Sequence, residues 1–365
     1  MTNNTDREPG FRETLKSDMY DQGLFRNLIN DLKDIIDFYL APSSKEMLRK
    51  MNPIKRVFFY VFWILKSMIL KLTPVRRLLL LIGILLLVTA NEITFGSKGS
   101  SISTNWDQVG GAIMLVVLML ELKDKLLAKD ELSAGRKIQE ALMPEQNPYL
   151  DGWSVWLYSQ PANEVCGDLV DFFRPDDERS LILMADVAGK GLNAALVTAK
   201  LQAIIRSLAP DYTDTKLIAK VNNTFYRESL RNIFATLFYI ECRKASSELK
   251  IVNAGHLPAF ILKKNEIREL SKGNTALGLM KNAEYNLHKE TIGTGDTLVV
   301  FSDGVTEARN SQGDFFGSDR LKSILLNKNE MSVNNLGNKI IDEINKFSSD
   351  SRLSDDLSLI ILKKM

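Results

Sequence analysis

The chain has 365 residues, 45% hydrophobic and 25% charged, with 47 Lys and Arg against 45 Asp and Glu for a formal net charge of +2. That length holds one large or two modest domains, and that balance excludes bulk disorder and a generally basic nucleic-acid binder. Two isolated cysteines, Cys166 and Cys242, exclude a disulfide framework and argue against structural zinc, and only His256 and His288 are available to a Ser-His-Asp or Cys-His scheme.

The mean hydropathy of −0.08 averages an uneven chain. Residues 1–20 are polar and read as a tail, without the basic start and apolar run of a secretory signal. From Leu24 through Leu28, Leu32, Ile35 and Tyr39 the apolar residues recur at three- and four-residue steps. This predicts an amphipathic helix within an N-terminal segment, 1–56.

A hydrophobic helical region, 57–122, follows in three segments: 57–72, broken by Lys66; 78–95; and 106–122. A bilayer core needs roughly 20 mostly apolar residues, with about 17 the lower limit, and the second and third segments approach it. Arg76 and Arg77 precede the second, Lys123 and Lys125 follow the third, and the loop between them holds only Lys98. The positive-inside rule then predicts a two-span hairpin with both basic flanks in the cytosol and the first segment lying in the interface. The alternative is a buried helical bundle in a soluble sensor domain.

Residues 123–144 continue as a connecting helix until Pro144. Its apolar spacing is loosely heptad-like, which offers a homodimer seam without establishing one. Pro144, Asn147, Pro148, Asp151 and Gly152 form a boundary of turn-formers, and a new domain runs from 145 to 365. There, 153–160, 180–185, 234–240, 249–254, 297–301 and 357–362 read as strands, and 194–208, 216–230 and 333–347 as helices. Their irregular order favours a layered α+β domain over a parallel sheet.

Aspartates gather at the strand ends. Asp168 precedes an apolar run, Asp186 and Asp303 end two strands, and Asp355 and Asp356 open the last. Each alone has a bland reading as a turn-former. Together, converging carboxylates call for a cation, and oxygen donors suit Mg²⁺ or Mn²⁺.

The runs Gln139–Pro144, Pro161–Asp168, Ala185–Gly191, Asn253–His256, Phe301–Glu307 and Ser354–Ser358 occur in this order. Together they resemble the SpoIIE/RsbU branch of the bacterial PPM-type metal-dependent serine/threonine phosphatases, over about residues 136–365. The resemblance implies an α-β-β-α sandwich preceded here by an all-helical membrane or input region. It also implies two Mn²⁺ or Mg²⁺ ions held by Asp168, Asp186, Asp303, Asp355 and the backbone carbonyl of Val187. These ions activate water for hydrolysis of phosphoserine or phosphothreonine on a regulatory protein, typically an anti-sigma antagonist of the STAS type.

Asp171, Asp356 and His256 fall beside that site in supporting roles, and His256 reads either as a general acid or as part of a turn fixed by glycine and proline. Gly189, Lys190 and Gly191 offer backbone N–H groups to a phosphate or form a tight strand-to-helix turn. Two other readings stay open: a degenerate partner-binding scaffold, and a hydrolase of a small phosphorylated molecule. The leading expectation is an enzyme at the bacterial cytoplasmic membrane with its catalytic domain in the cytosol, in which an input signal shifts the connecting helix.

Overall fold

The computed structural model describes residues 12, 40, 46–48, 51–89, 106–229, 233–244, 246–264, 266–270, 273–326, 331–348 and 353–365. The chain divides into two compact units, Met1–Leu126 and Leu127–Met365.

The first unit includes, among its described residues, the helices α1 (Pro53–Lys71), α2 (Pro74–Thr89) and the start of α3 (Trp106–Leu142), which runs on into the second unit. Proline opens both α1 and α2, where its missing N–H would have had no intrahelical acceptor. Between α2 and α3 the backbones approach closely. A Cβ added to Gly110 would stand 2.7 Å from the carbonyl oxygen of Gly83, so only glycine fits there. Below the crossing, Arg76 pairs with Glu121 and with Asp124, both at 2.7 Å.

No helix among the described residues is long and apolar enough to cross a membrane. The expected two spans are therefore not confirmed by the described helices. α2 has 16 residues, and α3 carries Asp107, Glu121 and Lys123 around its apolar stretch. The end of the 78–95 segment, the loop with Lys98, and the amphipathic helix predicted from Leu24 to Tyr39 lie outside the described residues.

The second unit packs two antiparallel sheets face to face. One has the order β1 (Trp153–Gln160), β10 (Leu357–Lys364), β9 (Thr297–Phe301), β6 (Phe260–Lys263), β7 (Glu266–Glu269). The other has the order β2 (Asp168–Phe173), β3 (Arg179–Val187), β4 (Ala235–Arg243), β5 (Glu248–Ala254), β8 (His288–Thr291). Alternation along the strands sorts side chains into three buried cores. Val170, Ile182, Met184, Phe238, Val300 and Ile360 fill the space between the sheets. Leu169, Leu181 and Leu183 face α4 (Gly191–Leu208) and α5 (Asp214–Glu228) on one outer side. Trp156, Val299 and Ile361 face α7 (Gly317–Leu325) and α8 (Val333–Ser348) on the other. A four-residue helix, α6 (Asp303–Thr306), caps β9.

The result is the expected α-β-β-α sandwich. The strands and helices read from periodicity recur within a few residues of their predicted ends. Short strands β6, β7 and β8 carry too few residues to show a period, and β7 and β8 are only half covered, so their polar side chains hid them.

Candidate active site

Strand pairing brings the aspartates to one end of the sandwich. Asp168 and Asp186 are direct partners across β2 and β3. By alternation both point, with Val170 and Met184, into the space between the sheets, where the apolar filling ends. On the other sheet, β9 and β10 are antiparallel neighbours, so Asp303 just past β9 and Asp355 and Asp356 just before β10 share an end. Gly304 permits this juxtaposition, since a Cβ there would fall 2.0 Å from the carbonyl oxygen of Asp356.

These carboxylates sense one another. Burial first, and then the charge of Asp186, hold the Asp168 carboxyl well above the usual range. Asp186 is pushed up to about 6 by burial, with Asp303, Asp355 and Asp356 adding to the effect. Asp303 is raised by burial and by Asp355. Like charges opposite one another across a strand pair are destabilising, and one buried oxygen of Asp168, Oδ2, has no hydrogen-bond partner.

A hard divalent cation would answer both demands, and an all-oxygen donor set suits Mg²⁺ or Mn²⁺. Among the described residues no three His, Cys, Asp or Glu side chains have the spacing of a cage around one ion. Mg²⁺ is ordinarily held by one or two carboxylates, with water filling the remaining positions, so these gathered groups fit such an ion.

Asp356 has a definite task. Its carboxylate accepts the N–H groups of Ala162 at 2.7 Å, Gly167 at 2.5 Å and, more weakly, Asp168 at 3.4 Å. It ties the loop before β2 to the start of β10. Val187 is buried, and its carbonyl oxygen faces Gly167, 3.8 Å from where a Cβ would stand.

Lys190 differs from its expected role, because it enters the site through its side chain. Its Nζ bonds Asp355 Oδ2 at 2.8 Å and the carbonyl of Ser354 at 2.9 Å. Gly189 and Gly191 flank it with φ of 121° and 69°, the backbone of a sharp strand-to-helix turn. The signal for this cation was its place in Gly189-Lys190-Gly191, four residues after Asp186.

Asp171 is not beside the site. It lies on the opposite face of β2 from Asp168, fully buried, and takes a two-pronged ion pair from Arg206 of α4 at 2.9 and 2.6 Å. His256 is buried with Nδ1 2.9 Å from the hydroxyl of Thr236, and burial pushes its pKa down to about 4. A ring that is neutral at pH 7 is a poor general acid for a leaving group. Asn253 accepts the His256 N–H at 2.8 Å and donates to its carbonyl at 3.1 Å, so the turn reading accounts for this residue.

A family model described as Stage II sporulation protein E (SpoIIE) matches residues 176–364. The chain belongs to the SpoIIE family. The unit carrying the carboxylates is a SpoIIE-type PP2C phosphatase domain, and its enzyme class is protein serine phosphatase. The chain is similar to phosphoserine phosphatase RsbU of Bacillus subtilis, 28% identical over 239 residues, covering 65% of this chain and 70% of that protein. It is also similar to protein IcfG of a Synechocystis species, 29% identical over 224 residues, and spans only 35% of that protein's length. Among solved structures, the SiaA-PP2C domain of Pseudomonas aeruginosa superposes with a TM-score of 0.57 at 18% identity, over 66% of this chain and 98% of that one. At that identity the likeness establishes the fold.

Proposed function

We propose that this SpoIIE-family chain removes phosphate from phosphoserine or phosphothreonine of a regulatory protein, of the anti-sigma antagonist (STAS) type, with Mn²⁺ or Mg²⁺ held between the two sheet ends. The observation that carries this reading is the convergence of Asp168, Asp186, Asp303 and Asp355, with raised proton affinities at the first three and an unpartnered buried oxygen on Asp168. These four, with the Val187 carbonyl, would be the metal-holding groups. Bound there, divalent cations supply neutralisation of phosphoryl charge and activation of water.

The chain's own residues supply the frame for that chemistry. Asp356 fixes the Asp168 loop, and the glycine turn sets Lys190 at the mouth of the site, where its ammonium group can meet an anionic substrate. Similarity to phosphoserine phosphatases RsbU and RsbP of Bacillus subtilis, the latter 25% identical over 245 residues, supports phosphoserine as the group hydrolysed. Retention of all four aspartates in a shared cleft speaks against a degenerate scaffold.

The helical region would attach the enzyme to the cytoplasmic membrane with the catalytic unit in the cytosol. Support comes from the outward aliphatic side chains of α2 and α3, from Arg76 and Arg77 at the start of α2, and from Lys123 and Lys125 just past the apolar stretch of α3. Sedimentation of the full chain with anionic phospholipid vesicles tests this, and a chain left wholly in the supernatant removes the membrane reading.

Phosphate release from a phosphoserine protein is measured with the full chain in Mn²⁺, in excess chelator, and for Asp303→Asn. The expected result is metal-dependent release that chelator abolishes and the variant lacks. Equal release in all three samples ends the two-metal reading.

A further inference from the structure

His256 sits where the chain passes from one sheet to the other. β5 ends at Ala254 and β6 begins at Phe260, and the register of both strands puts residues 255–259 at the end where the carboxylates gather. Gly255, with φ of 76°, turns the chain there and still bridges to Leu237 of β4. The two bonds from Asn253 hold His256 by its main chain, not by its ring.

The ring meets both sheets. Nδ1 is 2.9 Å from the hydroxyl of Thr236 on β4, and Thr236 is the direct cross-strand partner of Asp186. Such partners share a face, so Thr236 and Asp186 stand side by side. Nε2 is buried and makes no close hydrogen bond. Burial lowers the proton affinity of the ring, and the backbone of Phe301 raises it, as a carbonyl facing a ring N–H does. With Nδ1 taken by Thr236, Nε2 is the nitrogen left to face that carbonyl. Phe301 ends β9, two residues before Asp303.

A force acts across this gap. After burial, the charge of Asp303 is the largest influence raising Asp186, so the two carboxylates push their sheet ends apart. Asp356 ties the sheets on one flank, from the start of β10 to Gly167 and Asp168. One tie leaves two sheets free to rock about it, and a second on the β4 and β9 side removes that freedom.

We infer that His256 is a positioning residue, a strut that takes the Thr236 hydroxyl on Nδ1, gives Nε2–H to the Phe301 carbonyl, and so sets the separation of Asp186 from Asp303. A carbonyl only accepts, so the one proton of the neutral ring sits on Nε2. The inference rests on the metal-dependent phosphatase reading above.

The test uses the full chain. Imidazole nitrogen shifts of isotope-labelled histidine report which ring nitrogen carries the proton, and His288→Gln removes the other histidine from the spectrum. Mn²⁺ affinity is read by spin-resonance titration for wild type, His256→Phe, which keeps a ring and loses both nitrogens, and Thr236→Val, which keeps shape and loses the hydroxyl. Each is titrated well below its own thermal transition, and His288→Gln is the control.

The expected ring is protonated on Nε2 at pH 7. His256→Phe should weaken Mn²⁺ binding by about tenfold, the lower end for losing an outer support of a metal site. Thr236→Val, which frees one end of the strut, should weaken it less, and His288→Gln should match wild type. Wild-type affinity in either variant overturns the inference, whatever happens to thermal stability, and so does a wild-type ring protonated on Nδ1. If His256→Phe does not fold, Thr236→Val and the ring proton carry the same test. A wild-type chain that binds Mn²⁺ but releases no phosphate overturns the phosphatase reading instead, and affinity and ring proton still decide the strut.

Discussion

The two units use the same aliphatic residues in opposite ways. In the sandwich, Leu181, Ile182, Leu183 and Met184 run consecutively along β3, and none is exposed. Alternation delivers them to two cores covered by helices on one side and a second sheet on the other. In the first unit, Leu78, Leu81, Leu85 and Val88 of α2 and Leu115, Leu118 and Met119 of α3 are exposed. There α2 and α3 meet glycine backbone against glycine backbone, at Gly83 and Gly110. Apolar content does not determine which arrangement forms; what covers the surface does. Helices that meet through small residues and direct their large apolar side chains outward are arranged as they would be in lipid, where aliphatic burial between helices offers little advantage.

The largest expected effect lies at the centre of the sandwich unit. Asp186→Asn should lower Mn²⁺-dependent phosphate release by more than about 100-fold, the upper end for losing even a supporting partner of a metal ligand. The same substitution should stabilise the metal-free chain at pH 7 by up to roughly 3 kcal/mol. The sign follows from the folded pKa of Asp186, about 6 against an ordinary 3.8. The folded state keeps its proton to higher pH, so this contribution is whole below 3.8 and is lost as pH rises through about 6. His256 titrates in the opposite sense and is common to both chains, so it cancels in the difference. Denaturant unfolding of both chains from pH 4 to pH 7 should therefore show their stability gap widening and then levelling. A gap independent of pH would mean that Asp186 is not held under repulsion.

A smaller effect is expected where the sandwich buries charge for structure. Arg206→Ala leaves the fully buried Asp171 carboxyl without its guanidinium, at a cost of about 2–3 kcal/mol, the lower part of the range for breaking a buried pair because Arg206 is itself half exposed. Its Mn²⁺ affinity should stay near wild type, since Asp171 faces away from the site. A shift in affinity larger than the shift in stability would put Asp171 back beside the metal.

This pair also marks what could be read from the sequence. The sandwich was legible because its long strands and amphipathic helices obey local periods, and the motif order placed Asp168, Asp186, Asp303 and Asp355 together. The roles of individual neighbours were less accessible. Asp171 stands three residues from Asp168, and an odd spacing on a strand sends a side chain to the opposite face, where α4 waits with Arg206. Lys190, His256 and Asp356 act across 20 to 194 positions of sequence, and no local pattern encodes a partner so distant. The first unit was legible as helix, and no helix among its described residues is long and apolar enough to cross a membrane.

The smallest effect is expected at the glycine crossing, and it tests the contrast directly. Gly110→Leu puts a branched side chain where even a Cβ meets the Gly83 carbonyl oxygen at 2.7 Å, and a main-chain atom cannot rotate away. α2 and α3 must separate, at a cost of about 1–3 kcal/mol for overpacking. That cost falls on helices whose large side chains are already mostly outside, so few buried contacts are lost with it. Limited proteolysis should therefore cut within α2 several-fold faster, while the thermal transition of the phosphatase unit moves little. A matching fall in that transition would show that the sandwich depends on the helical hairpin for its stability. An unchanged rate of cleavage would show that the glycines are not what holds the hairpin closed, leaving the Arg76 pairs with Glu121 and Asp124 to do so.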